Sequence, residues 1–197
     1  MTPKPRIAVF VSGSGRSLEN LAERIGTGEL QAQLALVVSS HPKAFALERA
    51  QRLSIPALVV DPARALSPVE FSREAFAAAH AAGAELVVLA GFLRLLVIPE
   101  EWIGRVLNIH PSLLPKYGGK GFYGDKVHAA VLAAGEHETG CTVHYVTNEY
   151  DKGPVLLQQK VAVSAGDDVH ALATRVFEAE KEALPAAIRE HFERAAR

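Results

Sequence analysis

The chain has 197 residues, a hydrophobic fraction of 49%, a charged fraction of 22% and a net charge of −1. That length suits one domain with a sizeable core. The balanced charge, with no lysine/arginine cluster, excludes a nucleic-acid footprint, and the one cysteine, Cys141, excludes an internal disulfide and a cysteine-based zinc site.

No apolar run is long enough for a transmembrane helix, so no membrane partner is expected. Residues 1–5 lead into an apolar run without a signal-peptide core, which gives the expectation of a cytoplasmic protein. Residues 6–12 are β-branched and apolar and end in glycines; 16–25 then follow with helical spacing, stopped by Gly26-Thr27-Gly28. A strand is predicted at 34–39, a helix at 43–53 before Ile55-Pro56, and a short strand at 57–60. Ser67-Pro68 supply an N-cap and a first-turn proline for a helix to about Ala82. Residues 85–91 are almost continuously apolar, as in a strand buried on both faces of a parallel sheet. Another strand, 105–110, is stopped by Pro111. These strand–helix units predict an α/β fold with a mostly parallel central sheet and helices on both faces.

Past His110 the pattern changes. Residues 115–126 hold four glycines and no periodicity, which predicts a long functional loop, read as a lid. A short helix at 127–134 follows. The stretches 142–147 and 155–163 alternate as an antiparallel pair joined through Asp151-Lys152-Gly153-Pro154. Gly166-Asp167-Asp168 cap a closing helix to about Phe192. One domain over 1–197 is expected, with a phosphate-binding half at 6–104 and a catalytic half at 105–197.

Asn108 and His110 stand at i and i+2 of a strand, so they share a face. In an open α/β sheet the strand's C-terminal end is where ligands bind. An amide donor beside an imidazole can stabilise an oxyanion and move a proton; two polar residues ending a strand are the plainer reading. Ser12-Gly13-Ser14-Gly15-Arg16-Ser17 joins the first strand to the first helix, where free backbone N–H groups favour an anion. Leu18 stands where a dinucleotide fingerprint needs its third glycine, and no Gly-Lys-Ser/Thr follows. The turn therefore suits a phosphate monoester, with Arg16, Ser14 and Ser17 as added donors, or it binds nothing.

Asp151, if close to His110, would raise the imidazole's pKa and keep it protonated near neutral pH; an aspartate in such a segment is otherwise a turn residue. His144, alternating with Val143 and Tyr145, reads as a core histidine, and no spacing of ligands points to a metal. Leu93, Leu95 and Leu96 wall a flat heterocycle with their backbone groups free to bond it, or pack the core; Arg94 among them fits core packing less well.

Ser12-Gly-Ser-Gly, Leu89-Ala-Gly-Phe-Leu-Arg94, Asn108-Ile-His-Pro-Ser-Leu-Leu-Pro115 and Asp151-Lys-Gly-Pro occur in this order. Together they resemble the folate-dependent formyltransferases, most nearly the phosphoribosylglycinamide branch, from residue 6 to about 192. The resemblance implies a Rossmann-like formyltransferase fold with an antiparallel C-terminal portion. It implies transfer of the formyl group of 10-formyltetrahydrofolate to the amine of glycinamide ribonucleotide in purine biosynthesis, without a metal, by a monomer or homodimer. Asn108, His110 and Asp151 match the family's catalytic residues: the first two as donors to the oxyanion, the third sustaining the histidine's charge and relaying the amine's proton. Gly13, Ser14, Gly15, Arg16 and Ser17 match the ribose-phosphate turn, and Glu180 matches a glutamate on the ribose hydroxyls. Arg73, Leu93, Arg94, Leu95 and Leu96, with Asn108, match contacts to the formyl-folate; His144 and His128 match histidines near the site and in the helix after the loop.

Two departures stand out. Arg16-Ser17 replace the Ser-Asn of many relatives, and the loop 118–126 is longer and richer in glycine, with Lys120 or Lys126 as candidate phosphate contacts. Formyltetrahydrofolate hydrolase shares the Asn/His/Asp set but adds an N-terminal regulatory domain, and methionyl-tRNA formyltransferase adds a C-terminal RNA-binding domain; neither extension is expected here. Outside the family, a nucleotide-phosphate-binding oxidoreductase and a non-catalytic binding module are the remaining readings.

Overall fold

The computed structural model describes residues 4–195. Residues 1–3, part of the segment 1–5 considered above, and residues 196–197 lie outside the described residues. The chain forms two compact units, Met1–Leu107 and Asn108–Arg197.

In the first unit the order is β1 (Arg6–Val11), α1 (Arg16–Gly26), β2 (Gln33–Ser39), α2 (Phe45–Arg52), β3 (Ala57–Val59), α3 (Pro68–Ala81) and β4 (Leu86–Leu89). Ile7, Ala8, Val9, Phe10 and Val11 are completely buried, as are Leu86, Val87 and Val88. That is why both strands read as unbroken apolar runs. β1 pairs in parallel with β2 and with β4, and β2 with β3. The chain thus runs outward from β1 to β3 and then returns to β1's other side for β4, which makes a topological switch point at the C-terminal ends of β1 and β4. α3 starts as its sequence signals: Ser67 Oγ accepts from Glu70 N at 3.1 Å, and Pro68 opens the first turn. A short 3₁₀ turn at Glu100–Trp102, which no sequence signal marked, brings the Trp102 ring to 5.6 Å from Phe76.

β5 (Val106–His110) contains the boundary between the units. The second unit continues with α4 (Asp125–Ala133), β6 (Glu138–Tyr145), β7 (Val155–Ala162) and α5 (Val169–Ala195). α4 begins inside the predicted loop. β6 starts at Glu138 rather than 142 and runs antiparallel to β7, with Gly140 opposite Lys160. A Cβ on Gly140 would lie 2.0 Å from the Gln159 carbonyl oxygen, so the close pairing of the two strands needs a glycine there. Asp168 Oδ1 caps α5 by accepting from Ala171 N at 2.7 Å. Asp167 instead takes Arg175 through both oxygens, at 2.6 and 2.9 Å, which holds its carboxyl down at about 2.

The strand order β3-β2-β1-β4-β5-β6-β7 gives one mixed seven-stranded sheet, mostly parallel with an antiparallel C-terminal pair, as the sequence predicts. Among the described residues no helix is long and apolar enough to cross a membrane.

Candidate active site

Ile109 on β5 is buried, and the alternation of the strand puts Asn108 and His110 together on the opposite face. His110 is 4% exposed. From β6 comes His144, 1% exposed. Asp151 arrives from the β6–β7 connection with φ +55°, a backbone state that aspartate tolerates. The four meet around the Asp151 carboxylate. Oδ2 lies 3.6 Å from His110 Nδ1 and accepts from Gly119 N at 2.8 Å. Oδ1 lies 3.6 Å from His144 Nε2 and accepts from Asn108 Nδ2 at 3.4 Å. Asp151 is thus both a turn residue and a member of the site.

The hydrogen bonds fix the proton positions. His144 Nδ1 donates to its neighbour's carbonyl, Tyr145 O, at 2.9 Å, so its Nε2 is free to accept from Asn108 Nδ2 at 3.0 Å. Both amide hydrogens of Asn108 are therefore engaged, the one toward Asp151 in the longer bond. His110 Nε2 donates to Tyr117 O at 2.8 Å. That leaves Nδ1 facing the carboxylate.

Burial is the largest influence on His110 and lowers its pKa; Asp151 and the Tyr117 carbonyl raise it, His144 lowers it, and the outcome lies below 6.5. Burial works against the expectation of a histidine held protonated by Asp151. The carboxylate is adjacent, but desolvation of the charged ring outweighs it. Asp151 shows the opposite balance. Burial pushes its carboxyl up, and His144, His110 and the Gly119 amide together bring it below 3.8. At neutral pH the resting pair is a neutral imidazole beside a carboxylate.

A polar scaffold holds the chain just past His110. Thr142 Oγ1 donates to Ser112 O at 2.7 Å and accepts from Leu114 N at 3.0 Å, while Gln158 Nε2 donates to Leu114 O at 2.9 Å. Tyr117 and Gly119, which sequence reasoning did not single out, then reach back to His110 and Asp151. The signal was the Gly118-Gly119 pair. A Cβ on Gly118 would lie 2.4 Å from Leu114 Cδ2, and Gly119 sits at φ +94°. Lys126 Nζ lies over the Tyr123 ring at 4.6 Å and bonds its hydroxyl at 3.1 Å; Lys120 is exposed. His128, on α4, is buried, and burial lowers its pKa. Glu180 is half-buried on α5.

In the first unit, the turn after β1 is bound to the exit of β4. Ser12 N donates to Gly91 O at 3.1 Å, and Leu93 N donates to Ser12 Oγ at 2.9 Å. Gly15, at φ +75°, is the N-cap of α1, and a Cβ there would meet Ala46 Cβ at 2.6 Å. Gly13, Ser14 and Arg16 are exposed and Ser17 half-exposed, leaving the turn's face accessible. Leu93 and Leu95 are 48% and 36% exposed and Arg94 is exposed. Leu96 is 2% exposed, so its side chain packs in the core. The backbone is also less available than expected, since Leu93 N is held by Ser12 and Val97 N by Ser72 Oγ. Arg73 lines a pocket of about 490 Å³ with Val69, Phe76, His80, Val97 and Glu101. Among the described residues no group of three or more His, Cys, Asp or Glu is arranged to hold a metal ion.

Residues 5–188 match the family model described as formyl transferase. The chain belongs to the formyl transferase family. It is 41% identical over 189 residues to the trifunctional purine biosynthetic protein adenosine-3 of Gallus gallus, covering 95% of this chain and 18% of that protein. It is 39% identical over 186 residues to the chloroplastic phosphoribosylglycinamide formyltransferase of Arabidopsis thaliana, covering 90% of this chain and 62% of that one. The chain thus spans less than two thirds of the length of either relative. Among solved structures, glycinamide ribonucleotide transformylase 1 from Symbiobacterium toebii superposes with a TM-score of 0.89 at 38% identity, covering 96% of this chain and 88% of that one.

Proposed function

We propose that this member of the formyl transferase family transfers the formyl group of 10-formyltetrahydrofolate to the amine of glycinamide ribonucleotide. The observation that carries the reading is the Asp151 carboxylate set between His110 and His144 with Asn108 beside it. The names of its relatives support the choice of substrates.

The co-substrate supplies the formyl carbon that the amine attacks. Asn108 Nδ2 gives up its long bond to Asp151 and donates to the formyl oxygen as negative charge gathers there. His110, neutral at rest, takes the amine's proton on Nδ1. Asp151 balances the imidazolium as it forms, and that positive charge supports the oxyanion electrostatically. The carbon–nitrogen bond to the folate then breaks, and the same proton serves the departing nitrogen. His144 holds Asn108 in place by accepting its other N–H. In the first unit, the amides and hydroxyls of Gly13, Ser14, Gly15 and Ser17, with Arg16, bind the ribose phosphate. Leu93 and Leu95, with Arg73 and Arg94, bind the folate, and Glu180 binds the ribose hydroxyls.

The test is tetrahydrofolate release from 10-formyltetrahydrofolate with and without glycinamide ribonucleotide. Release that depends on the ribonucleotide is expected. Equal release without it assigns transfer to water instead, and release in neither case defeats the reading.

A further inference from the structure

We propose that Glu136, in the connection from α4 to β6, is a positioning residue that sets the His110–Asp151 pair through the Tyr117-Gly118-Gly119 turn. This inference rests on the formyl-transfer reading above.

The turn touches both reacting groups with its backbone. Tyr117 O receives the His110 Nε2 proton at 2.8 Å, and Gly119 N donates to Asp151 Oδ2 at 2.8 Å. Two residues apart in sequence, these contacts fix the ring and the carboxylate relative to each other. Tyr117 sits at φ +54°, in the left-handed region that a bulky side chain avoids, so contacts from outside its own backbone help to hold the turn's shape. The Phe122 ring meets the Tyr117 ring edge-on at 6.3 Å, and Glu136 Oε1 is the charged anchor. It accepts from the Tyr117 hydroxyl at 2.9 Å and from Lys116 Nζ at 2.8 Å. Those two donors hold the Glu136 carboxyl below its ordinary value, so it is ionised and a strong acceptor across the neutral range. Lys116 O is held in turn by Ser112 Oγ at 2.6 Å. Tyr117 therefore has its side chain tied to Glu136 and its carbonyl tied to His110.

The consequence is a specific effect on one titration. The groups facing His110 are Asp151 from the β6–β7 connection, His144 from β6, His128 from α4 and the Tyr117 carbonyl. Loosening the carbonyl removes an acceptor that favours the charged ring, so the His110 titration moves to lower pH.

The experiment pairs histidine NMR titration of the whole chain with formyl-transfer kinetics in Glu136→Ala, Glu136→Gln and Tyr117→Phe. Glu136→Ala is expected to lower kcat roughly three- to tenfold with little change in KM, the size of one lost hydrogen bond, and to move the His110 titration down. Tyr117→Phe, which deletes only the phenol oxygen, moves it the same way. Glu136→Gln still accepts from the phenol and returns the titration to the wild-type position. A His110 titration unchanged in both Glu136→Ala and Tyr117→Phe overturns the proposal, whatever happens to the rate. The titration reads His110 without reference to any acceptor. A wild-type chain that transfers no formyl group therefore defeats the proposed function while leaving the positioning result to stand or fall separately.

Discussion

The turn at 12–17 and the cluster around Asp151 both keep polar groups beside apolar strands, by opposite means. The turn uses consecutive residues, with Gly13, Ser14 and Arg16 open to solvent. The cluster gathers side chains from positions 108, 110, 144 and 151 and buries both histidines. An exposed hydroxyl that loses its ligand is rehydrated at little cost. A buried group that loses its partner bears the full desolvation penalty, and its neighbours change protonation. The two regions therefore differ in how far a single substitution spreads.

The largest expected effect is at the carboxylate. Asp151→Asn keeps the shape and suits the positive φ while removing the charge that balances an imidazolium, so kcat falls by roughly two to three orders of magnitude. Asn108→Ala falls by roughly two orders, as for other oxyanion donors. Steady-state tetrahydrofolate release measures both, and a loss smaller than that of Ser14→Ala breaks the contrast. In the turn, Gly15→Ala forces a Cβ to 2.6 Å from Ala46 Cβ and keeps a strained φ. Thermal unfolding should show a loss of about 1–3 kcal/mol. Ser14→Ala, the mildest, is expected to raise KM for the ribonucleotide roughly threefold at unchanged kcat.

Acid separates the regions in another way. His110 and His128 have folded pKa values below 6.5, so between the folded and unfolded values the unfolded chain binds more protons. Stability is full above pH 6.5 and falls as pH drops through the folded values. Asp151 adds a second loss below pH 3.8, as pH falls through its lowered pKa. Chemical denaturation from pH 7 to 4 measures the first loss, which is expected to shrink in His128→Gln; a flat profile contradicts it.

Much of the first unit was readable because its signals are local. Ser67-Pro68, the buried run at β4 and the glycine turn after β1 each state their structure in a few residues. The end of β5 was readable in the same way, since Pro111 marks it. Asp151 was legible as a turn residue and, through the family resemblance, as a candidate for the site; its place between two histidines depends on contacts with His110, 41 residues earlier in the chain, and His144, 7 residues earlier. The balance of influences on His110 was not legible, because a carboxylate in the sequence can be noticed while the depth of burial cannot. The burial of the Leu96 side chain was hidden for the same reason, since only exposure separates it from Leu93 and Leu95. Tyr117 and Glu136 left no chemical signature at all, because one acts through its carbonyl and the other through a phenol.

The central claim is that His110 rests neutral beside Asp151, ready to accept a proton. Histidine NMR titration of the wild-type chain and of Asp151→Asn tests it most directly. His110 is expected to titrate below pH 6.5 in the wild type and lower still in the variant, which lacks the carboxylate that favours the charged ring. A wild-type midpoint above 6.5, or an upward shift in Asp151→Asn, contradicts it.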